Sequence, residues 1–232
     1  MTDTRSHFHQ ELESLEQTLL GVADLAEQMV QMAIDAFTEG DLEAADRVIA
    51  LDDDIDRTYL DVHNRWLHLM ARQQPMGSDL RMMSMLLHMN TTLERMGDQT
   101  VNIAKMAHAT SGLPRVDVIS EILREMADLV RAMIRTGIEA VLRRDADEAR
   151  LLPAMDEPVD RLNRDMYVDV VRSGPDPQRL EWATKAMMVS RALERVGDQV
   201  VDIGEQLAFL LTGEMAEFDE AGIVGDPDVQ SP

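Results

Sequence analysis

One acidic segment occurs twice in this chain, and this duplication limits the possible folds more than any other feature. Leu93–Gln99 reads Leu-Glu-Arg-Met-Gly-Asp-Gln, and Leu193–Gln199 repeats it, with valine for methionine, 100 residues later. Upstream, residues 51–57 are matched by residues 155–161 at an offset of 104. Because loops absorb insertions more easily than regular elements, the difference of four residues indicates a longer connection, Gln73–Ser78, in the first half. The chain therefore consists of two halves built from the same elements.

The spacing of apolar residues predicts helices. In residues 8–36 they recur at alternating steps of four and three, which is typical of the seam between packed helices. Aromatic residues make up only 3% of the chain, which argues against a β-rich fold. Turn signals near residues 40, 75, 112, 144 and 174 separate six long helical segments, three in each half. We therefore predict an all-α fold of two tandem three-helix bundles with short connections.

The same turn signals predict the domain boundaries. We expect the first three-helix bundle over residues 1–112 and the second over residues 113–212, with the boundary at the turn that begins at Gly112. Residues 213–232 are acidic and rich in glycine and proline, so they bury too little apolar surface to offset the entropy lost on ordering. This segment is predicted to be a disordered acidic tail.

Charge and composition exclude several classes of partner and site. The chain has 44 acidic and 22 basic residues, a net charge of −22, which argues against binding to nucleic acid or anionic lipid. It has no cysteine, so disulfides, thiolate metal sites and thiol nucleophiles are excluded. No stretch approaches the roughly 18 consecutive apolar residues of a membrane span, so we expect no direct membrane insertion. The first residues lack the apolar core of a signal peptide, which predicts a cytoplasmic protein.

Acidic side chains interrupt the apolar seam at matching positions in the two halves. Each half has an Asp and a Glu on seam positions of two different helices, with a second carboxylate one turn after each. One further turn along, Asn102 and Asp202 each offer another oxygen. The candidate ligands are Asp52, Asp56, Glu94, Asp98, Asn102, Asp156, Asp160, Glu194, Asp198 and Asp202. Since like charges repel and buried charges must be neutralised, such clusters need compensation.

Three interpretations of these clusters compete. In the first, they are structural or solvated, with the nearby arginines as neutralising partners: Arg57, Arg95, Arg161 and Arg195. In the second, carboxylate oxygens on two helices bind a multinuclear metal site. In the third, coupled carboxylates carry out acid–base chemistry, although neither repeat brings a histidine or a nucleophile. The duplication favours metal, because the same four acids recur while many surrounding residues differ. Oxygen ligands alone do not choose among iron, zinc, manganese, magnesium and calcium.

Glycine and proline residues beside the acids bear on the geometry of both sites. A glycine within a helix costs about 1 kcal/mol relative to alanine, so Gly97 and Gly197 indicate either plain helix–helix contact or room for a ligand. Pro158 lies between Asp156 and Asp160, and proline inside a helix removes a hydrogen bond and kinks it. The second site is therefore predicted either to have altered geometry or to belong to a helix that begins near Pro158.

At these residues the chain resembles the PhoU family, from about residue 8 to residue 212. The resemblance rests on Gln73-Gln74-Pro75 with Asp79-Leu80-Arg81, and on the doubled Glu-Arg-x-Gly-Asp signature. The second half lacks the first of these blocks. The resemblance implies two tandem three-helix bundles, and metal binding, in some members as multinuclear iron clusters, through paired acidic motifs. In this chain those motifs are Asp52 and Asp56 with Glu94 and Asp98, then Asp156 and Asp160 with Glu194 and Asp198.

The resemblance also implies a function. It predicts a non-enzymatic regulator of phosphate uptake and of the phosphate-starvation response. Its expected partners are the ATPase subunit of a phosphate ABC transporter and a sensor histidine kinase. One alternative is a carboxylate-bridged di-metal enzyme, although no glutamate here has the histidine three residues later that such four-helix sites use. The other is a purely structural dimerisation module without metal. Long amphipathic helices with spare apolar faces favour a homodimer.

Overall fold

The computed structural model describes residues 2–218, and the side chains from Arg5 onward. The described chain is almost entirely helical, and the predicted all-α fold with six long helices is confirmed. A four-residue helix that the sequence did not predict lies between the fourth and fifth long ones. The helices are α1 (Thr2–Glu39), α2 (Leu42–Gln73), α3 (Ser78–Ala109), α4 (Asp117–Arg143), α5 (Ala146–Ala149), α6 (Leu152–Arg172) and α7 (Pro177–Thr212).

Turn residues end the helices where the sequence predicted breaks. Gly40 has a φ of +72°, a left-handed conformation that glycine adopts without strain, and it ends α1. The next residue, Asp41, begins α2 by accepting a hydrogen bond from the Ala44 N–H at 3.0 Å. Asp176 caps α7 in the same way, by accepting from two backbone N–H groups. The connections are therefore short, and each helix runs antiparallel to the next long helix of its own half.

The long helices pack as two bundles of three. Helices α1, α2 and α3 form the first bundle, and α4, α6 and α7 form the second, with α5 against α4 and α7. The two bundles contact each other mainly through α3 with α7 and α1 with α4, so α2 and α6 lie on the outside. The buried side chains of both halves form one continuous apolar core. The division of the chain near residue 112 into two domains remains a prediction, because this core is shared across it.

Side-chain contacts join the two halves at several levels. The buried Trp182 ring of α7 stacks on Phe37 of α1, with the ring centroids 5.0 Å apart. At the opposite end of α7, the Arg81 Nε of α3 donates to the carbonyl oxygen of Leu210 at 3.0 Å. Since Arg81 begins α3 and Leu210 lies near the end of α7, the two central helices run antiparallel. An ion pair between Glu16 of α1 and Arg144, the residue that follows α4, adds a polar contact on the same side.

The segment that follows α7 returns along the helix. The Phe218 N–H donates to Glu205 Oε1 at 2.7 Å, and the Phe218 ring packs against the core. Residues 219–232, the rest of the predicted acidic tail, lie outside the described residues. Over residues 2–218, no helix is both long enough and apolar enough to cross a bilayer.

Candidate metal centres

In the first half, the two acidic helices approach each other at Gly97. A Cβ atom at this glycine would lie only 2.6 Å from Asp52 Oδ1 and 3.1 Å from Ile55 Cδ1. Any side chain at position 97 would therefore displace the carboxylate. Gly97 accommodates the Asp52 carboxylate of α2, which lies directly against the backbone of α3 in the segment that also carries Glu94 and Asp98.

Burial and mutual repulsion perturb these acids. The pKa of Asp52 is raised to about 6, first by burial and then by the negative charges of Asp56, Asp98 and Glu94. The pKa of Glu94 is also raised, first by burial and then by Asp98 and Asp56. Asp52 and Glu94 therefore lie close enough to Asp56 and Asp98 for the negative charges to repel one another. We call Asp52, Asp56, Glu94 and Asp98 the first cluster.

The first cluster has no cation of its own. Within residues 5–218, no Lys, Arg or His nitrogen lies within 4.0 Å of its carboxylate oxygens. Arg57, one of the arginines predicted to neutralise it, pairs instead with the exposed Asp54. Arg95 acts only at longer range, where it lowers the pKa of Glu94 against the larger effect of burial. The first cluster is therefore a concentration of negative charge that no described cation pairs with directly.

The second half repeats this geometry more tightly. A Cβ atom at Gly197 of α7 would collide with Asp156 Oδ1 of α6, and it would lie 3.5 Å from Asp156 Cγ. The pKa of Asp156 is raised to about 7, first by burial and then by the negative charges of Asp160, Asp198 and Glu194. Asp156 Oδ1 and Glu194 Oε2 are buried and have no hydrogen-bond partner among the described residues. We call Asp156, Asp160, Glu194 and Asp198 the second cluster.

Two arginines that the sequence analysis did not single out pair with the second cluster. Arg191 donates to Glu194 Oε1, one turn earlier on the same helix. Arg164 Nη1 lies 3.5 Å from Asp160 Oδ2. Of the two arginines that the structural interpretation placed here, Arg161 pairs with Glu157, and Arg195 acts only at longer range, where it lowers the pKa of Glu194 and Asp198 against the larger effect of burial. The available signal was the spacing of three and four residues between these acids and arginines.

Pro158 lies inside α6 and does not begin it. The helix runs from Leu152, with Pro153 in its first turn, and continues through Pro158 to Arg172. The alternative that the helix begins near Pro158 is therefore wrong. Because proline has no N–H, the carbonyl of Ala154 loses its helical partner within the segment that carries Asp156.

The remaining two predicted ligands, Asn102 and Asp202, line pockets at the contact between α3 and α7. Asn102 lines a pocket of about 430 Å³ together with Arg191 and Arg195 of α7. Asp202 lines a pocket of about 450 Å³, related to the first by the repeat, together with His88 and Arg95 of α3. Burial raises the pKa of Asp202, while Arg95 and His88 lower it. Arg95 and Arg195, the arginines of the repeated signature, thus face the opposite half of the protein. Arg195 lies beside Asn102, which was predicted to extend the first cluster, and Arg95 lies beside Asp202, which was predicted to extend the second.

The donors of both clusters fit a hard cation, in an open arrangement. Among residues 5–218, no three His, Asp or Glu side chains are already positioned around one point as an ion would require. Two features nevertheless suit an ion: the glycines allow each inner carboxylate to lie against the helix that carries the other two acids, and buried carboxylate oxygens lack partners in the second cluster. Asp56 and Asp98 are exposed at the outer edge of the first cluster, so their side chains are free to turn inward. Carboxylate oxygens are the ligands that such cations prefer.

Together, the fold and the clusters define a class: duplicated all-helical proteins with a carboxylate cluster between the outer and central helices of each bundle. Comparison with known sequences identifies the family. The family profile described as "PhoU domain" matches residues 19–107 and, a second time, residues 123–207. The chain belongs to the PhoU family.

Curated relatives and solved structures agree with this assignment. The chain is 30% identical to a Clostridium acetobutylicum protein named "Phosphate-specific transport system accessory protein PhoU homolog", over 94% of this chain and all of the relative. The crystal structure of PhoU from Pseudomonas aeruginosa superposes with a TM-score of 0.83 at 28% identity, and covers 89% of this chain and 100% of that one. The phosphate transport system regulatory protein PhoU from Streptococcus pneumoniae gives 0.81 at 27% identity, over 90% and 99%. The predicted family is confirmed.

Proposed function

We propose that this protein is a non-enzymatic, metal-binding regulator that acts as an accessory to phosphate transport. The accessory and regulatory role follows from family membership, since the relatives carry names of that kind. The metal-binding part follows from the two clusters. Within this proposal the protein works in the cytoplasm, as a homodimer, through contacts with a phosphate transporter's ATPase subunit and a sensor histidine kinase.

The observation that carries the metal-binding proposal is the inner carboxylate of each cluster. Asp52 and Asp156 lie against glycine backbone in a position that costs them solvation and brings them next to three other acids. Their pKa values of about 6 and about 7 show how unfavourable their ionised form is without a cation. A structure that served only to pack the helices would not need a second charge one turn from each of these acids.

The residues define what binding would do. Asp52, Asp56, Glu94 and Asp98 would hold ions in the first half, and Asp156, Asp160, Glu194 and Asp198 in the second. A bound ion would supply the positive charge that keeps these carboxylates ionised at neutral pH. Because the ligands of each cluster lie on two helices, binding would join α2 to α3 and α6 to α7. The position of the outer helices would then depend on metal occupancy, which gives a partner a surface that changes with it.

Elemental analysis of protein purified without chelators tests metal binding directly. We expect bound metal in the unaltered protein, and loss of the ions of the first half in the double variant E94A/D98A. The exposed Asp54, which pairs with Arg57 one turn from the cluster, provides the control: D54N should retain the full metal content. Metal-free protein in every preparation, including protein dialysed against manganese or iron, would leave only a structural bundle.

The regulatory role is tested separately in cells. Deletion of the gene should switch on phosphate-starvation genes while phosphate is plentiful, and the unaltered gene should restore repression. Unchanged expression after deletion would contradict the regulatory role, whatever the metal content of the protein. The E94A/D98A variant then shows whether repression depends on the first cluster.

A further inference from the structure

The repeat allows each residue around the second cluster to be compared with its counterpart in the first. Arg191 corresponds to Thr91 at the offset of 100, and Arg164 corresponds to Leu60 at the offset of 104. Both arginines pair with acids of the second cluster, whereas neither counterpart carries a charge. The two clusters therefore have the same acids but different immediate surroundings.

Of the two ion pairs, the one between Arg191 and Glu194 involves the more deeply buried acid. Glu194 is only 8% exposed, so its charge is held largely out of water, and the Arg191 guanidinium occupies one of its two oxygens. In the first half, the Thr91 hydroxyl donates to the Leu87 carbonyl at 3.2 Å and takes no part in the cluster.

Arg164 is a second difference between the two clusters, at the solvent-exposed edge of the second one. Its Nη1 lies 3.5 Å from Asp160 Oδ2, and it also reaches Glu157 at 3.6 Å. Its counterpart Leu60 is an exposed apolar side chain on α2, one turn after Asp56. A cation that approaches Asp56 from solvent therefore meets no positive charge there, whereas one that approaches Asp160 meets a guanidinium.

We propose that Arg164 and Arg191 are resident counter-ions of the second cluster, so that the two clusters bind metal unequally and the first is occupied first. This inference rests on the metal-binding proposal above and names how the two sites differ. A guanidinium stays charged at every physiological pH, so an ion that enters the second cluster must displace Arg191 from Glu194 and overcome the repulsion of both arginines. Because a hydrogen bond to a charged group contributes on the order of the energy of one decade in affinity, the second cluster should bind about tenfold or more weakly.

Reciprocal exchange of the counterpart residues tests this inference. The E94A/D98A background leaves only the second cluster, and the E194A/D198A background leaves only the first. In the former, R164L/R191T installs the residues of the first half, and Mn²⁺ titrated calorimetrically should bind about tenfold or more tightly than without the exchange. In the latter, L60R/T91R installs the arginines, and Mn²⁺ binding should weaken by a similar factor. Circular dichroism and thermal unfolding establish that each variant is folded.

A matched control separates these contacts from net charge. The double variant R161L/R195T removes two positive charges from the same two helices, but neither arginine pairs with a cluster acid. Its Mn²⁺ affinity should change much less than that of R164L/R191T. Equal affinity of the two clusters, or an R164L/R191T variant that binds no better than its control, would overturn the inference while leaving metal binding intact. Absence of Mn²⁺ binding by the unaltered protein would overturn both.

Discussion

The two halves of this protein keep the same helix contact but surround it differently. In both, an aspartate lies against a glycine of the neighbouring helix, and a second aspartate follows it one turn later on its own helix. A glutamate and a third aspartate lie within one turn of the glycine on the other helix. Among the described residues the first cluster has no cation within ion-pairing distance, whereas the second is more deeply buried and pairs with two arginines. Helix packing therefore sets the position of the inner carboxylate. Single residues one turn from the other acids set how much of the cluster's negative charge is already compensated.

The largest expected effect concerns the glycines. G97A and G197A should each destabilise the metal-free protein by about 1–3 kcal/mol, because the new methyl group displaces a carboxylate from a packed contact. G197A should cost more, since the contact with Asp156 is the closer one. Urea unfolding measures both, with G21A as the control: Gly21 is an exposed helical glycine with nothing within 4 Å. There alanine should stabilise the protein by up to about 1 kcal/mol. Equal gains at all three positions would show that the acids do not lie against the backbone.

The next effect is the pH dependence of metal-free stability. The ordinary pKa of Asp52 and Asp156 is 3.8, and folding raises it to about 6 and about 7. As the pH rises above 3.8, the unfolded chain loses these protons while the folded protein keeps them, so unfolding becomes easier. The contribution of these groups is complete below that pH and is lost as the pH passes through about 6 and then about 7.

Thermal unfolding in the presence of a chelator tests this dependence. The midpoint should fall by a few degrees between pH 5 and pH 8, and D156N should remove more of that fall than D52N. D54N, which neutralises an exposed and paired carboxylate, should leave the fall unchanged. A midpoint that rises over this interval would contradict the conclusion that folding raises the pKa of Asp52 and Asp156.

The smallest expected effect concerns Pro158, an interior proline of α6 whose counterpart in α2 is Asp54. P158A should stabilise the protein by about 1 kcal/mol, because it restores an N–H for the Ala154 carbonyl, although the unfolded chain also gains freedom. P153A provides the comparison, since proline in the first turn of a helix removes no hydrogen bond and its replacement should bring no gain. Both are read from the midpoint of urea unfolding. A loss of stability in P158A would mean that α6 depends on the proline.

Several features of the fold were predictable because they depend on local chemistry. The steps of four and three in the apolar residues predict where helices lie, and residues such as Gly40 and Asp41 mark where they end. The acids of each pair were recognisable as neighbours, because residues four apart share a helix face. Gly97 and Gly197 were recognisable as unusual, although the sequence left open whether they served plain contact or made room for a ligand.

The sequence by itself determined the helices, their duplication and the four pairs of acids one turn apart, because helical periodicity places residues on a face without reference to any other helix. Only the tertiary structure decided which neighbours those faces meet. It assigned Arg164 and Arg191 to the second cluster and sent Asn102 and Asp202 to the contact between α3 and α7. The rotation and offset of one helix against the next come from packing across the whole shared core, and a shift of one residue along either helix would have chosen different partners.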